Sequence, residues 1–299
     1  MLLFYDPIYT DGIDPSARFP RERYRLLYER LKDRSEVEIR HPRLATREEI
    51  TRAHSPKYVD AFLHGTLDPD AIRRIGLRPW TPSIIDRTLR ITGGSLQALE
   101  HVLQHGGIAG NMAGGTHHAY YNYGSGYCIF NDIAICAITA LQHPDINRVL
   151  VLDLDVHQGD GTAAILKDEV RAFTCSIHAE SNFPFRKEQS DLDVHLADDT
   201  TDSDYLDVLD HTLAKLEVQN YDLILYQAGV DPLVEDALGK LSLTRSGLQQ
   251  RNQRIFDLRA QHPGLPILIF MGGGYANPID PTVDAFEDLF TGAATLFPA

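Results

Sequence analysis

Short apolar runs alternate along the chain with longer segments in which apolar residues recur every three or four positions. Continuous apolar runs are typical of parallel strands that helices cover on both faces, and the second spacing is typical of amphipathic helices. The predicted strands cover residues 2–5, 149–154, 171–177, 223–227 and 267–271. The predicted helices cover residues 21–32, 83–105, 132–141, 203–218 and 246–262. The pattern predicts an α/β fold, with one open, mostly parallel sheet sandwiched by helices, and a single domain over residues 1–299.

Two carboxylates and an imidazole lie at the end of the second predicted strand, directly after the apolar run 149–152. Asp153, Asp155 and His157 alternate along the chain, so in an extended conformation they share a face. That face meets the crevice beyond the strand ends, where open α/β sheets bind ligands. A single Asp after a strand is often only a helix cap. Three such groups favour a metal site, because buried carboxylates are costly unless they are paired or metal-bound.

A further ligand comes from the end of the predicted strand 223–227. Asp231 follows this strand, and Pro232 prevents the strand from continuing. Asp155, His157 and Asp231 would leave one or two positions open for water and substrate, as in a catalytic site. Their atoms suit zinc, iron or manganese better than calcium. Residues 227–230 contain no carboxylate that could bridge a second ion, so a single metal is favoured over a binuclear manganese site.

Two adjacent histidines supply candidate groups for proton transfer. His117 and His118 lie in a glycine-rich turn, where core packing explains them poorly, although a surface or merely structural pair is the alternative. Histidine titrates near neutral pH and can act as an acid or a base. Carboxylates behind the pair would fix its tautomers, and Asp153 and Asp160 are available for that role.

The loop after the last predicted strand reads Met-Gly-Gly-Gly-Tyr at residues 271–275. Its glycines, Gly273 among them, let the backbone approach a ligand closely. Tyr275 has a phenol that could polarise a carbonyl group opposite the metal. Such a loop is a weak signal alone, but a hydroxyl that polarises a carbonyl complements a metal that activates water.

Together these segments resemble the histone deacetylase family. The resemblance also takes in residues 54–59 and 124–132, and in order and spacing it runs from about Phe4 to Tyr275. Residues 18–20 and 153–159 are most similar to the class IV branch and its bacterial relatives, the deacetylase-like amidohydrolases. The resemblance implies an arginase/deacetylase-like fold with its active site in loops at the strand C-termini. It implies a zinc-dependent amidohydrolase that removes acyl groups, acetyl or longer, from lysine side chains.

The resemblance also implies roles for individual residues. The ligands of zinc (Zn²⁺), or alternatively of Fe²⁺, would be Asp155, His157 and Asp231. The groups acting on the attacking water, the leaving amine and the carbonyl would be His117 backed by Asp153, His118 backed by Asp160, and Tyr275. The ligands of a structural potassium ion (K⁺) would be Asp153, Ser176 and Ile177, with the backbone of Asp155 and His157. The walls of the substrate tunnel would be Gly126, Tyr127 and Phe183.

The substrate is defined less closely than the chemistry. Histone-directed members of the family often carry an aspartate on the rim that fixes the peptide backbone, and residues 75–82 contain no equivalent. The expected partner is an acylated lysine peptide or a small acylated amine. Acetylpolyamine hydrolysis is the alternative activity, and a non-catalytic acyl-lysine binding protein is the alternative without turnover. Acyl-chain length, protein target and oligomeric state stay open.

Composition changes this picture in three respects. The formal net charge of −14 argues against direct nucleic-acid binding and is compatible with cationic substrates. No apolar run approaches the roughly 18 residues of a membrane span, and the first residues lack a signal-peptide pattern. No membrane association and a cytoplasmic location are therefore expected. Cys128, Cys136 and Cys175 lie in apolar segments and are expected to be buried free thiols.

Overall fold

Eight parallel strands form one open sheet in the computed structural model, which describes residues 1–296. The strands are β1 (Leu2–Phe4), β2 (Glu38–Arg40), β3 (Ile108–Asn111), β4 (Val149–Asp153), β5 (Ala172–Ala179), β6 (Leu192–Leu196), β7 (Leu223–Gln227) and β8 (Ile267–Phe270). Their order across the sheet is β2-β1-β3-β8-β7-β4-β5-β6, and each neighbouring pair is parallel. The predicted open, parallel α/β sheet is confirmed.

Helices flank this sheet. They are α1 (Ile8–Asp11), α2 (Glu22–Leu31), α3 (Arg47–Ile50), α4 (Pro56–Leu63), α5 (Pro69–Ile75), α6 (Ser83–His105), α7 (Asp132–Ala140), α8 (Asp160–Leu166), α9 (Asp202–Lys215), α10 (Arg245–Gln261) and α11 (Asp280–Leu296). The five predicted helices correspond to α2, α6, α7, α9 and α10, with ends within three residues of those predicted. None of the helices in residues 1–296 combines the length and the hydrophobicity that a membrane span requires.

The central strands form the core of the molecule. Every residue of β4, β7 and β8 is buried, as expected for strands that helices cover on both faces. The five predicted strands match β1, β4, β5, β7 and β8 to within two residues at each end. The three cysteines are buried free thiols, as predicted.

Three strands and six helices were missing from the prediction. β2 and β6 lie at the two edges of the sheet and expose polar side chains, so neither reads as an apolar run. β3 has only four residues, including Gly110. The unpredicted helices are α1, α3, α4, α5, α8 and α11. All of these except α11 have eight residues or fewer, so they are too short to show a clear helical period.

Candidate active site

The C-terminal ends of two central strands bring the three predicted metal ligands together. β4 and β7 are neighbours with Asp153 opposite Gln227, so the loops after them leave the sheet at the same level. Donor atoms of Asp155, His157 and Asp231 lie within 4.8 Å of one another, and all three residues are buried. His157 Nδ1 lies 3.0 Å from Asp155 Oδ1 and 3.1 Å from Asp231 Oδ2.

These three residues, called the metal-donor group below, fit a divalent cation. Burial, together with the nearby Asp155 carboxylate, raises the pKa of Asp231 to about 7. Burial disfavours a charged His157, but hydrogen bonds to both carboxylates outweigh this effect and raise its pKa to about 10. A proton on His157 therefore lies between the two carboxylates, where a cation would otherwise balance their charge. Two carboxylates and one imidazole suit zinc or iron.

Backbone N–H groups hold the two carboxylates of the metal-donor group in place. Gly273 donates to Asp155 Oδ2 at 2.8 Å, and Val156 donates to Asp231 Oδ1 at 2.9 Å. A Cβ atom at position 273 would lie 1.9 Å from Asp231 Oδ2, so glycine is required for this close approach. Gly273 thus lines the pocket and also supports the metal-donor group. The sequence around Gly273 did not indicate the second of these roles.

The two histidines are buried beside the metal-donor group, each against its predicted carboxylate. His117 Nδ1 donates to Asp153 at 2.8 Å, and His118 Nδ1 donates to Asp160 at 2.6 Å. Their ring centroids are 4.1 Å apart. His117 Nε2 lies 3.8 Å from Asp155 Oδ1. The structure therefore excludes the alternative of an exposed surface pair.

The two imidazoles differ in basicity. Burial disfavours a charge on His117, but Asp153 and Asp155 outweigh it and raise its pKa to about 9. Burial and the neighbouring His117 lower the pKa of His118 to about 4. The two rings therefore prefer different protonation states at neutral pH, which is the arrangement needed for one acid and one base.

Residues that the sequence did not single out anchor the histidine loop. The Asp132 carboxylate accepts hydrogen bonds from Gly115 N–H, Thr116 N–H and the Thr116 hydroxyl. His54 Nδ1 donates to the carbonyl of Tyr120 at 3.0 Å, and Nε2 accepts from Asn131 N–H at 2.8 Å. Asp132 and His54 lie within motifs that carried the family resemblance, but no local pattern identified their partners.

Tyr275 lies on the wall of the same pocket, as predicted. Its N–H donates to Asp236 Oδ2 at 2.6 Å, and the Arg23 guanidinium lies 5.5 Å from its ring centroid. Burial raises the pKa of the Tyr275 phenol well above its ordinary value, so the hydroxyl keeps its proton at neutral pH. It is therefore available as a hydrogen-bond donor inside the pocket.

A cavity of about 570 Å³ opens to the surface and ends at these groups. The predicted tunnel residues Gly126, Tyr127 and Phe183 line it. The Phe183 ring stands edge-on to His118, with centroids 4.8 Å apart. Tyr127 has a φ of 66°, an unusual value for a residue other than glycine, and its N–H donates to Ile75 O at 2.7 Å. The C-terminal end of α5 thus holds Tyr127 in a sparsely populated backbone conformation.

The charges on the cavity wall are opposite in sign to the net charge of −14. The basic lining residues are Arg23, Arg74, Arg87 and Lys240, and the acidic one among the residues described is Asp155. Arg23 and Arg87 are buried, so the cavity reaches into the interior, whereas Arg74 and Lys240 are exposed. The acidic net charge therefore does not extend to this pocket.

Three of the residues predicted to hold potassium, Asp153, Ser176 and Ile177, lie on the neighbouring strands β4 and β5. Ser176 pairs with Asp153 in the β4–β5 register, and Ile177 is the next residue of β5. Asp153 Oδ1 also accepts from Asp155 N–H at 3.2 Å. The Ser176 hydroxyl lies 2.9 Å from His178 Nδ1. The arrangement is consistent with the predicted ligand set, and the potassium ion itself stays a prediction.

Comparison with known proteins identifies the family. The family model described as Histone deacetylase domain matches residues 17–285. The chain belongs to the histone deacetylase family. This membership confirms the resemblance seen in the sequence and supports a deacetylase function, in a hydrolase that acts on acyl amides.

Relatives of this histone deacetylase family member differ in their sequence identity to it and in how much of each chain the match covers. An uncharacterized protein of Picosynechococcus is 44% identical over 283 residues, which cover 93% of each chain. Histone deacetylase 2 of Arabidopsis thaliana is 32% identical over 203 residues, covering 66% of this chain and 52% of that protein. Acetoin utilization protein AcuC of Staphylococcus aureus is 30% identical over 263 residues, covering 81% of this chain and 67% of AcuC.

Proposed function

We propose that this protein is a zinc-dependent deacylase that removes acyl groups from lysine side chains. The observation that carries the proposal is the cavity that ends at a metal-donor group flanked by two carboxylate-backed histidines. Asp155, His157 and Asp231 would hold the ion, with Fe²⁺ as the alternative. An ion there would polarise the amide carbonyl and make water more acidic. A potassium ion at Asp153, Ser176 and Ile177 would be structural.

His117 and His118 hold and move the protons of the reaction. One accepts a proton from the attacking water and the pair delivers a proton to the leaving amine, which makes the lysine amine a better leaving group. Asp153 and Asp160 orient the rings by accepting from Nδ1, so each Nε2 faces the cavity side. A cation at the metal-donor group would offset the negative charge that raises the pKa of His117.

The Tyr275 hydroxyl donates a hydrogen bond to the oxygen of the substrate carbonyl. Negative charge develops on this oxygen as water attacks, so a donor that is fixed beforehand stabilises the transition state more than the ground state. Gly126, Tyr127 and Phe183 exclude water around the acyl-bearing chain. Their apolar surface suits the methylene groups of a lysine side chain.

The charges on the cavity wall favour acyl-lysine over acetylpolyamine. A polyamine carries several positive charges, and the basic residues Arg23, Arg74, Arg87 and Lys240 would repel them.

Hydrolysis also releases a carboxylate, and buried Arg23 faces the inner cavity with an Nε that has no hydrogen-bond partner in the part described. Space beside Phe19 and Ile91 is compatible with acyl groups longer than acetyl.

Hydrolysis of a panel of acyl-lysine peptides and acetylated polyamines, followed by mass spectrometry, tests this proposal. We expect turnover of acyl-lysine peptides by the zinc-loaded protein and none by Asp155→Ala. Preferential turnover of acetylpolyamines would replace the lysine assignment with the alternative activity. Binding of acyl-lysine without any turnover by the zinc-loaded protein would support the non-catalytic alternative.

A further inference from the structure

The mouth of the cavity contains one cation that has no anionic partner. Lys240 Nζ lies 3.7 Å from the Asp198 carboxylate and donates to the Ser181 hydroxyl at 2.8 Å. Arg74 also lines the cavity and is exposed. Among residues 1–296 the Arg74 side chain forms no hydrogen bond or ion pair, whereas the adjacent Arg73 pairs with Asp70, so the guanidinium N–H donors of Arg74 are free to bind a ligand. A guanidinium without a carboxylate at a pocket mouth is a candidate anion site.

A cation–π contact with a pair of stacked tyrosines holds the Arg74 guanidinium in position. It lies 4.8 Å from the ring centroid of Tyr123. Tyr123 in turn stacks on Tyr120, with centroids 4.6 Å apart and planes at 15°. This cation–π contact engages the face of the Tyr123 ring and does not pair the guanidinium with an anion. Less side-chain entropy is therefore lost when an anion binds there.

The backbone places Arg74 next to the substrate tunnel. It lies in the last turn of α5. The next residue, Ile75, ends this helix, and its carbonyl accepts a hydrogen bond from Tyr127 N–H at 2.7 Å. A Cβ atom on Gly76 would contact the Tyr127 ring at 3.3 Å. The end of α5 is thus packed directly on the tunnel wall. A group attached to the outer end of a lysine side chain in this tunnel would emerge near Arg74.

We infer that Arg74 binds a carboxylate of the substrate, next to the α-carbon of the acylated lysine. The inference rests on the proposed function, because it places the acyl group at the metal-donor group and the α-carbon at the mouth. The fork of N–H groups on arginine matches a carboxylate in a bidentate geometry. The carboxylate is either the α-carboxylate of a free acyl-lysine or an acidic side chain that flanks the lysine in a peptide.

Paired substrates test this inference with both sources of the carboxylate. In the first pair, kcat/KM for Nα,Nε-diacetyl-lysine is compared with that for its carboxamide. In the second pair, an acetyl-lysine peptide with flanking aspartates is compared with one with flanking asparagines. We expect the carboxylate member to be favoured by about 5- to 20-fold in at least one pair, as for a charge-assisted hydrogen bond. The pair that shows the preference identifies the source.

Variants of two adjacent arginines assign the preference to a residue. Arg74→Gln should bring the ratio within each pair close to one. Arg73→Gln is the matched control, because Arg73 is on the same helix, forms an ion pair with Asp70 and does not line the cavity. It should keep the ratio of the unmodified protein.

The outcomes separate this inference from the proposed function. Equal kcat/KM within both pairs, or a preference that survives Arg74→Gln, would overturn the carboxylate site while leaving the deacylase proposal intact. Absence of turnover on all four compounds by the zinc-loaded protein would overturn both.

Discussion

The carboxylates behind the two histidines of the candidate site are themselves held by hydrogen bonds. Asp160 illustrates this, since one oxygen accepts from His118 Nδ1 at 2.6 Å and the other accepts from the Tyr120 hydroxyl at 3.1 Å. The Tyr120 hydroxyl also lies 3.2 Å from Glu188. Tyr120 is therefore a positioning residue, because it fixes the carboxylate that orients His118.

Replacing Tyr120 with phenylalanine should lower kcat about 2- to 10-fold with little change in KM. The loss corresponds to one hydrogen bond that orients the acid–base machinery, and the ring and its stacking on Tyr123 are retained. Steady-state kinetics on an acetyl-lysine peptide measure the split between kcat and KM. Tyr121→Phe is the control, since Tyr121 is 53% exposed. A change confined to KM would contradict the positioning role.

Replacing Tyr275 with phenylalanine should lower kcat by about 10²- to 10³-fold, as for the loss of one oxyanion donor. The phenylalanine ring keeps the packing beside Arg23, so the fold should be unaffected. Steady-state rates, with thermal unfolding as a check on folding, measure the effect. Full activity in Tyr275→Phe would remove this hydroxyl from the mechanism.

At the level of elements, the apolar pattern identified the buried strands but not the sheet edges. β4, β7 and β8 are buried on both faces and therefore appear as uninterrupted apolar runs. The edge strand β6 has exposed polar positions, and its pairing with β5 comes from tertiary structure.

The same limit applies to the prediction of the site residues. The strand ends predicted that Asp155 and Asp231 converge, but the distant partners Gly273 and Tyr120 required the three-dimensional structure.

Helix α6 requires glycine where it meets the chain before α3. A Cβ atom at Gly93 would lie 2.0 Å from the carbonyl oxygen of Arg43, and this segment is bound to α6 by the hydrogen bond from Ala45 N–H to Leu89 O. In contrast, a Cβ atom at Gly292 in α11 would meet Phe256 at an ordinary 3.7 Å. The two helical glycines are therefore expected to respond in opposite directions to alanine.

Gly93→Ala should lower the free energy of unfolding by about 1–3 kcal/mol, because the added methyl group overpacks a contact with backbone. Gly292→Ala should leave it unchanged or raise it by up to about 1 kcal/mol, because alanine favours a helix. Urea unfolding of both variants measures these values. Equal effects of the two substitutions would show that close packing does not determine the residue at position 93.

The free energy of unfolding of the whole molecule is expected to depend on pH through His54, which is neutral in the folded protein at pH 7. Burial lowers the pKa of His54 from its ordinary 6.5 to about 4. Both ring nitrogens form hydrogen bonds to the backbone. Nδ1 donates to the carbonyl of Tyr120, and Nε2 accepts from the N–H of Asn131. Protonation of Nε2 therefore removes the hydrogen bond from Asn131 N–H and is disfavoured in the folded protein. Between pH 6.5 and 4 the unfolded chain binds more protons than the folded one at this residue, so its stabilising contribution is lost as pH falls.

The free energy of unfolding should accordingly fall by about 2 kcal/mol between pH 7 and pH 5 because of this one residue. His54→Gln, which cannot titrate, should show a correspondingly smaller pH dependence. His64→Gln is the control at an exposed histidine and should retain the dependence of the unmodified protein. Urea unfolding at a series of pH values measures the difference. Parallel curves for all three proteins would exclude His54 as the source.

The most direct test of the central claim is metal-dependent turnover of an acetyl-lysine peptide, with the metal content measured on the same samples. Removing metal with a chelator should abolish hydrolysis, and about one equivalent of zinc per chain should restore it. Asp231→Asn should recover neither tight metal binding nor activity, because it weakens a donor set whose atoms lie within 4.8 Å of one another. Full hydrolysis by metal-free protein, or zinc rescue of Asp231→Asn to the unmodified rate, would contradict the proposed site.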